Sequence, residues 1–258
     1  MNWSKQAPDK PLFPDVLWSR PENKRHAGKL LIIGGHQQAF NEVSAAYSAA
    51  LKAGIGTARV ILPDSLQKTL HKVFPEAEYA ASTPIGSFSR QALGTLLDCA
   101  EWADGVLLAG DLGRNSETAI LLEGFIEKYM GLLALAGDSI DYFLKQPALL
   151  TERPRTLIIA GLNQLQKLAA PALIQQNADF IKVIEQLSDW VSQTNLSVVA
   201  VHSNQVSVAH KSRISTMAAK LSAPDASLAA YATVWLLQQP GEAFESLSSG
   251  VFYFVKGE

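Results

Sequence analysis

Cys99 is the one cysteine in 258 residues, so no intramolecular disulfide can form and a reducing compartment is expected. No run of about 18 apolar residues occurs, which excludes a membrane-spanning helix. A basic excess is missing too: 22 Lys and Arg stand against 24 Asp and Glu, which argues against a dedicated nucleic-acid binder. Charged residues make up only 18 % of the chain and apolar ones 48 %, so disorder is excluded as its main state. Several catalytic signatures are absent: GxGxxG, GxxxxGK followed by Ser or Thr, and the GxSxG nucleophile elbow. His26, His36, His71, His202 and His210 show no HxxxH or HExxH spacing, and a lone thiol cannot build a thiolate zinc site, so no metal site is expected. Residues 1–25 carry no apolar core of the kind a secretory leader has, and a cytoplasmic location is expected.

What is present is an alternation. Residues 1–25 form a polar arm punctuated by Pro8, Pro11, Pro14 and Pro21, with Phe13, Val16, Leu17 and Trp18 as candidate anchors. From Lys29 onward, short apolar runs at 30–33, 58–62, 105–109, 132–136, 156–160 and 197–201 alternate with longer amphipathic stretches at 41–53, 64–73, 89–100, 116–129, 139–145 and 171–195. Buried runs of four to six residues, bounded by Gly, Asp or Pro and separated by helical segments, predict parallel strands joined by crossover helices. Parallel strands need helices on both faces. The expectation is a three-layer αβα sandwich with a central, mostly parallel sheet, over one α/β domain at 26–258. A further helix is expected from Pro224, and 251–255 reads as a short aromatic strand.

In such a sheet, ligands sit beyond the carboxyl ends of the strands. The loops there hold the candidate chemistry. Gly34-Gly35 lets backbone approach a ligand, or simply makes a tight strand-to-helix turn. Arg114 can hold a phosphate or carboxylate bidentately, or pair with Glu117 in solvent. Asp111 in the same loop would repel a polyphosphate. Asp138 and Asp141 read as a helix cap or as ligands. Between Trp190 and Pro224 there is no acidic residue, yet His202, His210, Lys211, Arg213 and Lys220 fall there. That field would attract an anion, or belongs to a solvated edge hairpin. Ser222-Ala-Pro-Asp225 reads as a helix start with a cap. It reads equally as a general base, Asp225, beside an anion hole.

The order of segments resembles the NAD(P)H-hydrate dehydratase family of the ribokinase-like superfamily. The resemblance rests on His26-Ala-Gly-Lys-Leu-Leu-Ile-Ile-Gly-Gly35, on residues 45–53 running into Gly54-Ile-Gly56, on Val73-Phe-Pro-Glu-Ala-Glu78, and on Asp104-Gly-Val-Leu-Leu-Ala-Gly-Asp-Leu-Gly-Arg114. It implies an ADP- or ATP-dependent repair of hydrated NADH or NADPH, with or without magnesium, by a homo-oligomer. A phosphate would go onto the hydroxyl of the damaged ring and then leave. By this correspondence Asp225 is the base. Ser222, Ala223, His202 and Lys211 lie on the nucleotide side, and Gly35, Asn41, Gly113, Arg114 and Asp138 in the substrate loops.

The chain departs from the family pattern at the phosphate-handling positions. Ser222 and Pro224 replace glycines of the anion hole, and proline has no N–H to donate. Ala136-Gly-Asp138 lacks the first acid of an Asp-Ala-Asp element, and Val201-His202 stands for Lys-Gly. Ile159-Ala-Gly-Leu-Asn-Gln164 has lost a histidine and an acid. A catalytically inactive relative that keeps the fold for ligand binding or assembly is therefore the alternative. A small-molecule kinase of the same superfamily is the third reading.

Overall fold

A computed structural model describes residues 2–72, 74–75, 77–169, 179–221 and 225–257. Its strands are β1 (Asn2–Lys5), β2 (Lys29–Gly34), β3 (Thr57–Pro63), β4 (Ala77–Ala80), β5 (Gly105–Gly110), β6 (Leu132–Ala136), β7 (Thr156–Gly161), β8 (Leu196–His202), β9 (Gln205–His210) and β10 (Arg213–Ala218). Its helices are α1 (Asp15–Trp18), α2 (Asn41–Lys52), α3 (Gln67–Leu70), α4 (Leu93–Trp102), α5 (Ser116–Lys128), α6 (Ala148–Thr151), α7 (Leu162–Ala169), α8 (Phe180–Ser192), α9 (Ala226–Gln238) and α10 (Ala243–Lys256).

All the strands join one sheet in the order β1-β10-β9-β8-β7-β6-β5-β2-β3-β4. Only β9 runs against the rest, pairing antiparallel with β8 and β10. Alternation along each strand divides the core. Leu31, Ile33, Val106 and Leu108 pack with residues of α4, α5 and α8, while Leu30, Ile32, Leu107 and Ala109 pack with α2, α9 and α10. Helices thus cover both faces of a mostly parallel sheet, as the alternation of runs predicts. Nearly every residue of α9 is buried, Trp235 among them at 1 % exposure, because α9 packs on the middle of the sheet with α2 on one flank and α10 on the other. Each large side chain buried this way contributes about 1.5–3 kcal/mol.

Several readings need correction. Residues 251–255 lie inside α10: Phe244, Leu247 and Val251 are buried at spacings of three and four, a helical period that an aromatic-rich run disguises as strand. Trp18 anchors nothing, being 84 % exposed, and Leu17 is exposed as well, whereas Val16 is buried and Phe13 meets Phe244 edge-on. The arm is not merely draped over the body, because β1 adds a parallel strand beside β10. That leaves the basic stretch inside the sheet instead of at its edge. The segment 139–145 makes only 3₁₀ turns. Of 171–195, residues 171–178 lie outside the described residues, and α8 fills 180–192 as expected. Ser203 and Asn204, with φ of 49° and 59°, form the tight turn between β8 and β9. Among the described residues, no helix is long and apolar enough to cross a membrane.

Candidate functional site

Three loops leave the carboxyl ends of the central strands β2, β5 and β6, and they interlock. Gly35 N–H donates to Gly110 O at 3.0 Å, and a Cβ on Gly34 would sit 2.5 Å from that same oxygen. Glycine is required here for close approach. Gly35, Gly110, Gly113 and Gly137 all have positive φ, and so does Asp111 at 55°. The left-handed backbone at Asp111 turns its carboxylate toward α2, where Oδ2 accepts the amide of Glu42 at 3.0 Å. Phe40, at the N-cap position, supplies no side-chain cap of its own. Asp111 therefore satisfies an orphan donor of α2.

Glu42 in turn reaches across to α9. Its Oε2 accepts the amide of Ala226 at 2.9 Å. Asp225 is the N-cap of the same helix, and its Oδ1 accepts the Leu228 amide at 2.7 Å. Two carboxylates thus hold the positive end of α9, where backbone donors and dipole favour negative charge. Ser222, Ala223 and Pro224 lie outside the described residues.

At the carboxyl ends of β5 and β6, a pocket of about 360 Å³ opens between the loop after β5, the loop after β6, and α7. Gly113, Arg114, Asn115, Asp138, Asp141, Tyr142 and Lys167 are among its walls. The Asp138 carboxylate accepts the Leu112 amide at 3.2 Å. Burial lifts its pKa above the ordinary aspartate value. Nearby Asp111 and Asp141 add to the rise, and the amides of Leu112 and Gly113 oppose it. Gln164 ties the pocket together, donating from Nε2 to Gly137 O at 2.9 Å and to Asp141 Oδ1 at 2.8 Å. The Tyr142 hydroxyl donates to Gly113 O. Arg114 and Lys167 are exposed and make no ion pair or side-chain hydrogen bond among the described residues.

Of the expected site residues, the structure gathers Gly35, Gly113, Arg114 and Asp138 at this end of the sheet. Asn41 is there too, exposed at the first position of α2. His202 ends β8 at the same end, its Nε2 3.0 Å from Ser203 Oγ. Lys211 is not brought there. β9 carries the chain to the opposite end, where Lys211 turns into β10 with φ 53°. His210 beside it lines a second pocket of about 580 Å³ at the amino ends of the strands. Burial, then Lys211, lowers the His210 pKa, and Ser197 Oγ lies 2.8 Å from its Nδ1. Sequence reasoning missed Glu42, Gln164, Tyr142 and Lys167. Gln164 and Lys167 are three apart on α7 and share a face, but that segment reads as a loop when 159–164 is matched to a family motif.

No family model matches the chain. In overall structure it is similar to a ribokinase-like superfamily protein from Enterococcus faecalis. The TM-score is 0.75 over 98 % of this chain and 86 % of that one, at 17 % identity. The fold is ribokinase-like. An ADP/ATP-dependent NAD(P)H-hydrate dehydratase from Bacillus subtilis, co-crystallised with ATP and Mg²⁺, shares this ribokinase-like fold. Its TM-score is 0.66 over 97 % of this chain and 89 % of that chain, at 13 % identity. In sequence, the chain is 32 % identical over 97 residues to the bifunctional NAD(P)H-hydrate repair enzyme Nnr of Methanothermobacter thermautotrophicus. That match covers 38 % of this chain and only 18 % of the relative's length. The resemblance read from the order of segments is thus met again in sequence and in fold.

Among the described residues at the start of α9, the amides of Ala226 and Leu228 are already given to Glu42 and Asp225 and are not free for the phosphates of ATP or ADP, and Asp111 stands next to Glu42 as a further acid. Among the described residues, no group of three or more His, Cys, Asp or Glu side chains is placed to hold a metal ion.

Proposed function

We propose that this chain is a divergent ribokinase-like relative of the NAD(P)H-hydrate repair enzymes that binds a small molecule in its crevice and has lost nucleotide-driven phosphoryl transfer. One observation carries the reading: the positive end of α9 is filled by carboxylates of the chain itself. A triphosphate arriving there must displace Glu42. It must also overcome repulsion of roughly 4 kcal/mol for each carboxylate within about 4 Å, at the effective dielectric near a protein surface. The losses at Ser222, Pro224, Ala136 and Val201 support the same conclusion from the sequence side.

The deciding experiment incubates the purified chain with hydrated NADH or NADPH and either ATP or ADP, and follows absorbance at 340 nm. No nucleotide-dependent recovery is expected under conditions where an active dehydratase restores the signal. Recovery that Asp225→Ala abolishes would overturn the proposal in favour of a second reading, a working dehydratase with Asp225 as base. What favours that second reading is the place of Asp225, at the start of a helix whose Ala226 amide meets Glu42, itself tied to the loop after β5.

A further inference from the structure

The 360 Å³ pocket has an uneven account of partners. Its acids are engaged: Asp138 accepts the Leu112 amide, and Asp141 accepts from Gln164. Its cations are not: Arg114 from the loop after β5 and Lys167 from α7 have no ion-pair partner among the described residues. They stand on separate elements, and both line this pocket. An anion held between them would gain charge-assisted bonds from both, one of them from a fork suited to phosphate. Tyr142 and Leu144 add apolar wall. A ligand filling the rest of the space also meets the carboxylates of Asp138 and Asp141, which accept further hydrogen bonds and reject a second anionic group.

We infer that the pocket between Arg114 and Lys167 binds a small hydroxylated phosphate monoester, its phosphate between the two cations and its hydroxyls donating toward Asp138 and Asp141. The inference rests on the reading of the crevice as a ligand site that works without a nucleotide. It relocates the anion from the start of α9, already filled, to a pocket whose positive side chains are unpaired.

Calorimetric titration with D-ribose 5-phosphate, D-ribose and inorganic phosphate, without nucleotide, tests both halves of the ligand. Ribose 5-phosphate is expected to bind at least tenfold more tightly than either fragment. Arg114→Ala and Lys167→Ala should each weaken it by about 10- to 100-fold, the loss of one hydrogen bond to a charged group. Both side chains are exposed, so neither change threatens folding. An undetectable heat for ribose 5-phosphate at millimolar concentration would overturn the inference, as would affinity unchanged in both variants. Neither result touches the reading of the crevice as free of phosphoryl transfer, which stands or falls on the 340 nm assay alone.

Discussion

Glu42 and Ala226 are 184 positions apart, yet the carboxylate of one accepts the amide proton of the other at 2.9 Å. Together with Asp111, which accepts the amide of Glu42, this makes a relay: the loop after β5 caps α2, and the first turn of α2 caps α9. Each link places a negative group where a helix offers unsatisfied donors. The starts of α2 and α9 are thereby occupied by the chain's own carboxylates before any ligand arrives.

Removing the second link should therefore cost stability and uncover a donor. Glu42→Ala is expected to destabilise the chain by about 1 kcal/mol in urea unfolding, since the Ala226 amide loses its acceptor. Glu42→Gln keeps an oxygen in place and should cost less. Adding ~10 mM inorganic phosphate should raise the melting temperature of Glu42→Ala by more than that of the unaltered chain, by linkage to the state that binds. Equal responses from both proteins would mean that Glu42 does not exclude the anion.

Asp225 supports α9 as a cap, and that role has its own signature. Asp225→Ala should lose about 1 kcal/mol, while Asp225→Asn should be close to neutral, because asparagine accepts the Leu228 amide equally well. A general base behaves otherwise: asparagine cannot take up the proton, so Asn and Ala would be equally damaging to turnover. Comparing the two variants by urea unfolding and by the 340 nm assay separates the roles.

The layers of the fold were readable because buried parallel strands are continuous apolar runs, and 105–109 and 132–136 are too short for helices and alternate with amphipathic stretches. The last helix was not, since Phe252, Tyr253 and Phe254 mask the spacing of Phe244, Leu247 and Val251. The strand β1 escaped notice because Asn2–Lys5 buries little and borrows its register from β10. In the site, Arg114 and Asp138 follow strand ends and could be found there. Glu42 carries no such signal, since an acid in the first turn of a helix is common. Nothing local ties position 42 to 226, because the tie is made by the packing of α2 against α9.

The raised pKa of Asp138 gives a pH dependence with a definite sign. The folded chain protonates this group more readily than the unfolded chain does, so its ionisation erodes stability as pH rises from the ordinary aspartate value, about 3.9, through the higher folded value. Asp138→Asn keeps an acceptor for Leu112 and carries no charge. Its melting temperature relative to the unaltered chain should therefore climb between pH 3 and pH 7, and the climb should flatten once Asp138 is ionised in both states. A difference that stays constant across this range would refute the assignment.

The loop that carries Arg114 is held by a backbone conformation as well as by bonds. Gly113 has φ +70°, and a Cβ there would lie 2.8 Å from Ser87 Oγ and 3.4 Å from the His36 ring. Gly113→Ala should cost about 1–2 kcal/mol from the left-handed backbone alone, before the contact with Ser87 is relieved. Relieving it moves the loop, so affinity for ribose 5-phosphate should fall in the same variant. Gly94 supplies the internal control. It lies in the first turn of α4 with nothing within 4 Å of its would-be Cβ, so Gly94→Ala should stabilise the chain by up to about 1 kcal/mol and leave binding untouched. One substitution type, two opposite signs in urea unfolding, and a binding change at Gly113 only: equal effects at both positions would show that the loop does not depend on its glycine.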